Sequence, residues 1–139
     1  MPYLRDIMTT NVDYVTPLDN VFEVAVKMKN DNVGIIPVCE DGTLLGVITD
    51  RDLVVDGIAE KHPGSTKVTD IMHGDVVTAN PDTTDEEAAA LMAQHQIRRL
   101  PVLENGKLVG IVSLGDLAVT SGSSDDAGEA LEDISKDHN

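Results

Sequence analysis

Hydrophobic and polar positions follow a pattern that occurs twice along the chain. Apolar residues at helical spacing follow residues 20 and 84, and after each of these stretches come two short apolar segments separated by a turn. Apolar residues three or four positions apart predict an amphipathic helix, and short β-branched runs on either side of a turn predict a hairpin. The pattern therefore predicts two helix–hairpin units, each closed by a further helix.

Individual residues place the helix starts and the turns. Asn20 is followed three positions later by Glu23, and Thr84 stands at the equivalent place before the second helix. This spacing is typical of a capping box. Asn105-Gly106 is a strong turn signal because both residues tolerate positive φ. Strands are predicted over residues 35–39, 44–49, 99–103 and 107–113, and second helices over about 50–60 and 114–120.

The duplication extends to residue identity. Asp6-Ile7-Met8 recurs as Asp70-Ile71-Met72, a shift of 64 positions from residue 6 to residue 70, and Asp52-Leu53 recurs as Asp116-Leu117. Two copies are too few for a solenoid, which usually needs about three or more repeats, so we expect a closed pair. The predicted organisation is a first repeat over 1–61, a linker over 62–67, a second repeat over 68–120 and an acidic tail over 121–139.

Composition and charge limit the class of protein. Hydrophobic residues occupy 41% of the 139 positions but aromatic residues only 2%, so the core must be built from aliphatic residues and Met. The net charge of −15 argues against a duplex nucleic-acid partner, which needs a basic face. The tail has six acidic residues and one Lys, hence a charge of −5, and we expect it to be disordered or loosely docked.

Cysteine content and hydropathy bear on the compartment. The only cysteine, Cys39, excludes an intramolecular disulfide framework and fits a reducing environment. No apolar run is long enough to span a bilayer, and the N-terminal residues have no signal-peptide core. We therefore expect a cytoplasmic protein without a membrane partner.

Each hairpin ends in a hydroxyl residue that is followed three positions later by a carboxylate. The pairs are Thr49 with Asp52 and Ser113 with Asp116. One interpretation is a helix cap, in which the side chains satisfy free backbone N–H groups. The other is a nucleotide site, in which the helix start faces a phosphate and the carboxylate accepts from the ribose hydroxyls. Spacing alone favours the cap, and the two interpretations are compatible.

Arg98 and Arg99 stand directly before the third predicted strand, where the first repeat has Gly34 and Ile35. A guanidinium keeps its charge and is hard to bury. The pair is therefore either a solvated strand start with surface ion pairs or a clamp for phosphate through charge-assisted hydrogen bonds. If it binds phosphate, the copy that contains Asp116 is the better anion site.

No catalytic or metal centre is predicted. The histidines His62, His73, His95 and His138 show no ligand spacing with Cys39 or with one another. The chain also has no nucleophile paired with a base, no nucleotide-hydrolysing P-loop and no GxGxxG motif. An enzyme is therefore the least favoured class.

The duplicated motifs resemble those of a known family. The Asp-Ile-Met starts, the Thr16-Pro17 and Asn80-Pro81 turns, the Pro-Val strands and the Gly-x-x-Thr/Ser-x-x-Asp endings are similar to a tandem pair of cystathionine-β-synthase-type (CBS) domains, or Bateman module. The resemblance covers about residues 3–119. It implies an α/β (α+β) fold of two β-α-β-β-α repeats packed about a pseudo-two-fold axis, and regulatory binding of AMP, ADP, ATP or S-adenosylmethionine without a further cofactor.

The resemblance also implies two clefts, each of which combines the hairpin end of one repeat with the early turn of the other. The favoured site would use Thr16, Val21, Arg98, Arg99, Ser113 and Asp116. The second, weaker site would use Thr49, Asp52, Asn80 and Asp85. Asp85 occupies the position of Val21 in the first copy, and its carboxylate would disfavour an anionic ligand.

We therefore expect a stand-alone regulatory sensor for an adenosine-containing ligand. The alternative is a scaffold with empty clefts, whose function is dimerisation or docking to another protein. A homodimer is expected through the helices predicted over 20–29 and 84–95, because each of these helices must bury an apolar stripe.

Overall fold

The chain folds as two compact units, each with its own hydrophobic core. In a computed structural model the residues from Pro2 to Val119 are described, so the predicted tail lies outside the described residues. The first-hairpin unit comprises Asp13–Val76, and the second-hairpin unit comprises Met1–Val12 and Val77–Asn139 as far as they are described.

Helices and hairpins occur in the same order in the two halves of the chain. The first half contains α1 (Leu4–Ile7), α2 (Val21–Asp31), β1 (Ile35–Glu40), β2 (Thr43–Thr49), α3 (Asp50–Asp52) and a π-helix (Leu53–Ile58). The second half contains a 3₁₀ turn (Val68–Asp70), α4 (Asp85–His95), β3 (Arg99–Glu104), β4 (Lys107–Ser113) and α5 (Leu114–Ala118). This combination of helices and antiparallel hairpins confirms the predicted fold class.

The first-hairpin unit is built around the antiparallel pair β1–β2, in which Ile35 lies opposite Thr49. The turn between the strands is Asp41-Gly42, with φ of 53° and 83°. Positive φ at both positions matches the right-handed twist of a hairpin, and Asp and Gly tolerate it. The core draws apolar side chains from α2, both strands and the 3₁₀ turn. Its buried residues are Val15, Val21, Val24, Met28, Ile36, Val38, Ile48, Val68 and Ile71.

The second-hairpin unit repeats this arrangement with β3 and β4, in which Arg99 lies opposite Ser113. The Asn105-Gly106 turn predicted from the sequence is present, with φ of 54° and 80°. The core combines α1, α4, both strands and α5. Its buried residues are Leu4, Ala88, Ala89, Met92, Leu100, Val102, Val112, Leu114 and Leu117.

Both predicted helix starts are confirmed. The Asn20 side chain accepts a hydrogen bond from the backbone N–H of Glu23 at 3.0 Å at the start of α2. Thr84 and Glu87 form a complete capping box at the start of α4. Because these side chains satisfy N–H groups that have no partner within the helix, they fix where each helix begins.

The segment that opens each sequence repeat packs on the hairpin of the other repeat. Leu4 is buried in the second-hairpin core, and Thr9 exchanges two backbone hydrogen bonds with Ile111 of β4, at 2.9 and 3.0 Å. In the first-hairpin unit, His73 exchanges two such bonds with Val47 of β2, each 2.9 Å long. The chain therefore passes from one compact unit to the other near residues 12 and 76. The repeat boundaries predicted from the sequence stay a prediction.

Close packing of these segments requires glycine at one position in each hairpin. A Cβ on Gly46 of β2 would lie 2.5 Å from the carbonyl oxygen of His73. A Cβ on Gly110 of β4 would lie 2.6 Å from the sulfur of Met8. Non-bonded atoms do not approach so closely without displacement, so the absence of a side chain at Gly46 determines how near His73 lies to the strand.

Three elements differ from the sequence expectation. The helix expected over about 50–60 is α-helical only at its start and continues as the π-helix, in which the Ala59 N–H donates to the Val54 carbonyl at 2.8 Å. Within the described residues α5 ends at Ala118, short of residue 120. The first strand of each β-α-β-β-α pattern is reduced to one parallel bridge, Val15 with Val38 and Ala79 with Val102.

Candidate functional site

The junction between β4 and α5 is a reciprocal cap. Ser113 Oγ accepts from the Asp116 backbone N–H at 3.1 Å, and Asp116 Oδ2 accepts from the Ser113 backbone N–H at 2.9 Å. Thr49 and Asp52 form the same pair of bonds between β2 and α3, at 3.1 and 2.8 Å. The cap interpretation is therefore confirmed at both hairpin ends, and each cap holds a carboxylate in a fixed place beside a helix start.

Two arginines lie beside the Ser113 cap. Arg99 is the cross-strand partner of Ser113, so the two side chains lie on the same face of the hairpin. The carbonyl of Arg98 accepts from the Leu114 backbone N–H at 2.9 Å. Between Pro2 and Val119 neither guanidinium has an ion pair. One end of the second hairpin thus combines two cations with a hydroxyl and a carboxylate.

The first hairpin has the same backbone arrangement without the cations. The carbonyl of Gly34 accepts from the Asp50 backbone N–H at 3.0 Å, and Ile35 lies opposite Thr49. A Cβ on Gly34 would lie 3.1 Å from Asp50 Oδ2. The carboxylates of Asp50 and Asp52 therefore give this hairpin end an acidic character.

Thr16 and Val21 lie in the first-hairpin unit, before and at the start of α2. The Thr16 backbone N–H donates to Asp19 Oδ2 at 2.7 Å. This hydrogen bond is the largest of the causes that lower the pKa of the Asp19 carboxyl below its ordinary value. The Thr16 hydroxyl donates to the same oxygen at 3.3 Å. The turn is thus ordered by its own polar groups, and Val21 belongs to the core.

Asn80 and Asp85 occupy the equivalent positions in the second-hairpin unit. Asn80 is exposed, and its Oδ1 accepts from the Asp82 backbone N–H at 2.8 Å. Asp85 is only 1% exposed, and its Oδ1 accepts from the Glu86 backbone N–H at 2.9 Å. A carboxylate is favourable at the first turn of a helix. It nevertheless places negative charge where the first repeat has the apolar Val21.

The structure brings the predicted site residues together in four groups. Arg98, Arg99, Ser113 and Asp116 meet at the end of the second hairpin, as do Thr49 and Asp52 at the end of the first. Thr16 with Val21, and Asn80 with Asp85, form separate helix-start groups in their own units. The combination of a hairpin end from one unit with a helix start from the other stays a prediction.

One functional candidate was not predicted from the sequence. His73 Nε2 lies 2.7 Å from Asp52 Oδ1 and 3.8 Å from Asp56 Oδ2. In the sequence His73 has no ligand spacing with Cys39 or with another histidine, and the two carboxylates that it meets lie about 20 positions before it. A comparison of the two repeats distinguishes His73, because the equivalent position in the other copy holds Thr9.

Among the described residues, none of the helices has the length and apolar character needed to cross a membrane.

Two helix–hairpin units, each closed by a hydroxyl–carboxylate cap, define the class of protein as a regulatory module made of paired CBS domains. The CBS domain family matches residues 4–55 and 68–122, and the chain belongs to this family. The resemblance noted from the sequence is therefore confirmed.

Three related proteins are similar to this chain over most of their own length. The CBS domain-containing protein YhcV of Bacillus subtilis is 48% identical over 135 residues, which are 97% of this chain and 96% of YhcV. The structure of CBSX2 in complex with AMP is 30% identical and has a TM-score of 0.74, covering 84% of this chain and 92% of CBSX2. Hypoxic Response Protein I, crystallised with two coordinated zinc ions, is 32% identical with a TM-score of 0.77, covering 85% and 98% of the two chains.

Proposed function

We propose that the protein is a sensor that binds an adenosine-containing ligand, namely AMP, ADP, ATP or S-adenosylmethionine. The observation that carries this proposal is the group formed by Arg99, Ser113 and Asp116 at the end of the second hairpin. AMP in the related CBSX2 structure gives independent support for this ligand class. The site would be completed by Thr16, Val21 and Arg98.

Each side chain in this group suits one part of a nucleotide. The arginines offer planar, permanently charged donors for phosphate. The Ser113 hydroxyl lies at the start of α5, where the helix dipole favours a negatively charged group. Asp116 Oδ2 accepts a backbone hydrogen bond from Ser113, and a carboxylate can accept several hydrogen bonds at once, which suits it to the two ribose hydroxyls. The helix cap and the ligand would therefore use the same carboxylate.

The second site, proposed from Thr49, Asp52, Asn80 and Asp85, should bind such ligands more weakly. It has no cation in the place of the arginines, and the buried Asp85 carboxylate repels a phosphate. His73 also lies within hydrogen-bonding distance of Asp52 Oδ1. A ribose would have to compete with that contact.

Calorimetric titration of the full chain with AMP, ADP, ATP, S-adenosylmethionine and adenosine tests the proposal. We expect saturable binding of at least one phosphate-containing ligand, with one tight site per chain. The same ligand should raise the melting temperature, because it binds the folded state. Absence of heat and of any thermal shift with all five ligands would reject the sensor and favour the scaffold.

We also propose a homodimer that uses the exposed apolar patch of the first-hairpin unit. This patch is formed by Leu18, Phe22 and Val26 around α2 and by Val54, Val55 and Ile58 of the π-helix, which packs beside α2. Contiguous exposed apolar residues typically mark an interaction surface. On α4 the exposed positions are Glu86, Glu87, Ala90, Gln94 and His95. This difference supports a contact through α2, rather than through α2 and α4 together as the sequence analysis expected.

A single charge in the patch should abolish the dimer. Phe22 is 64% exposed, so Phe22→Lys should leave the fold intact while placing an unpaired charge in the interface. Light scattering at micromolar concentration should give twice the chain mass of 14.9 kDa for the wild type and the single chain mass for the variant. Ala90→Lys on α4 is the matched control and should remain dimeric. A monomeric wild type would contradict the proposal.

We place the protein in the cytoplasm. The free thiol of Cys39 is buried, and burial raises its pKa above the ordinary value. A protonated thiol is a weak nucleophile, so this cysteine is consistent with a structural role in a reducing compartment. We also propose that another protein recognises the ligand-bound form of this sensor.

A further inference from the structure

We propose that His73, Asp52 and Asp56 form a binding site for a divalent transition-metal cation such as Zn²⁺. The site lies entirely within the first-hairpin unit. It does not depend on the proposed nucleotide function, although it shares Asp52 with the weaker of the two proposed ligand sites.

The three donor atoms already converge. Nε2 of His73 lies 2.7 Å from Asp52 Oδ1 and 3.8 Å from Asp56 Oδ2, and all three atoms lie within 4.8 Å of one another. Zinc binds nitrogen and oxygen ligands at about 2.0–2.2 Å, so two donors of a tetrahedral site are separated by about 3.3–3.5 Å. The two distances from His73 Nε2 lie on either side of this value.

The backbone segments that carry the three metal-binding side chains are themselves held in place by hydrogen bonds or helical structure. His73 is held by its two hydrogen bonds to Val47, and Gly46 allows its backbone to lie close to β2. Asp52 is fixed by its cap with Thr49. Asp56 lies in the π-helix, one turn beyond Asp52. Interruptions of α-helical geometry by π-turns are frequent at functional sites.

The charges of this site favour a cation. The Asp52 side chain is only 9% exposed, and a buried carboxylate requires a compensating charge or hydrogen bonds. Within the part of the chain that the structure describes, no Lys or Arg lies within ion-pair distance of Asp52 or Asp56. His73 and Asp56 are about half exposed, so a cation can enter from solvent and retain water in its remaining coordination positions.

The donor set identifies the class of metal. Imidazole nitrogen suits Zn²⁺ and its first-row neighbours, whereas Mg²⁺ and Ca²⁺ prefer oxygen ligands alone. A site with one nitrogen and two carboxylate oxygens should therefore bind Zn²⁺ more tightly than Mg²⁺. Three protein ligands leave at least one position open for water.

The second repeat supplies an internal comparison. Asp116 is the equivalent of Asp52, but Thr9 and Thr120 stand at the positions of His73 and Asp56. The cap is thus present in both repeats, while the other two donors are present in only one. A role limited to capping the helix would need neither His73 nor Asp56.

Titration of the metal-free full chain with Zn²⁺ at about pH 7.5 tests the proposal, because metal binding competes with protons for the ligand atoms and is favoured at this pH over acidic conditions. We expect one saturable site per chain and weaker binding of Mg²⁺. His73→Thr, which copies the residue of the other repeat, and Asp56→Asn should each weaken Zn²⁺ binding at least tenfold. Both side chains are half exposed, and circular dichroism should show that the variants remain folded.

Two controls separate this site from general attraction of cations to an acidic protein. Glu104→Gln and His95→Gln remove an exposed carboxylate and an exposed imidazole elsewhere and should leave Zn²⁺ affinity unchanged. Paramagnetic Mn²⁺ should broaden the amide resonances around residues 52–56 and 73 first. The proposal is wrong if no saturable site is found, if His73→Thr binds Zn²⁺ as tightly as the wild type, or if the broadening is spread evenly over the acidic surface. Zn²⁺ binding is measured without nucleotide. If either the metal site or the nucleotide site is not found, the other proposal can therefore still be tested.

Discussion

Leu4→Ala is expected to lower the free energy of unfolding by about 2–5 kcal/mol. Leu4 belongs to α1, near the start of the chain, yet its side chain has no exposed surface and packs in the second-hairpin core. The substitution removes buried apolar area and leaves a cavity, because the neighbouring strands and α4 cannot fully collapse into the space. For a protein of this size such a loss is a large part of the total stability.

Urea unfolding followed by circular dichroism measures this effect, since the midpoint falls in proportion to the stability lost when the slope is unchanged. Val119→Ala is the control. Val119 is 86% exposed and lies outside the apolar patch, so this truncation should change stability by less than about 0.5 kcal/mol. Equal midpoints for Leu4→Ala and Val119→Ala would show that the N-terminal segment does not stabilise the second-hairpin unit.

The repeated elements could be predicted from the sequence because their determinants are local. Asn20 and Thr84 cap the helices that follow them, and Asn105-Gly106 makes its turn, through bonds within three residues. The reciprocal cap of Ser113 and Asp116 was also visible in the spacing. Such features depend on neighbouring residues alone, and the duplication allowed each of them to be checked against a second copy.

The remaining features depend on contacts between distant parts of the chain. Nothing near Leu4 or Thr9 in the sequence indicates that this segment lies against β4, because Gly110 creates the space for it about a hundred residues away. The same kind of contact, through Gly46, brings His73 to Asp52. The π-helix likewise has no residue pattern that distinguishes it from an α-helix in the sequence. These features required the fold before they could be identified.

Arg99→Ala is expected to weaken AMP binding by about ten- to a hundredfold while leaving adenosine almost unaffected. Loss of one charged hydrogen bond costs about 1.5–3 kcal/mol, and about 1.4 kcal/mol corresponds to a tenfold change in affinity. Arg99 lies opposite Ser113, and among the described residues it has no ion pair to lose. Its removal should therefore act through the phosphate rather than through stability. Arg51→Ala, which removes the same charge beside the first hairpin, is the matched control.

Asp116→Ala should weaken AMP and adenosine alike, because both ligands carry the ribose hydroxyls that this carboxylate is proposed to accept. The variant also loses the cap with Ser113, which should cost about 1 kcal/mol of stability in the absence of ligand. Calorimetry on the wild type and both variants, paired with unfolding measurements without ligand, separates the two roles. If Asp116→Ala is less stable but binds AMP with unchanged affinity, the carboxylate serves only as a helix cap. If Arg99→Ala also binds AMP normally, the phosphate lies elsewhere, and the end of the second hairpin is not the ligand site.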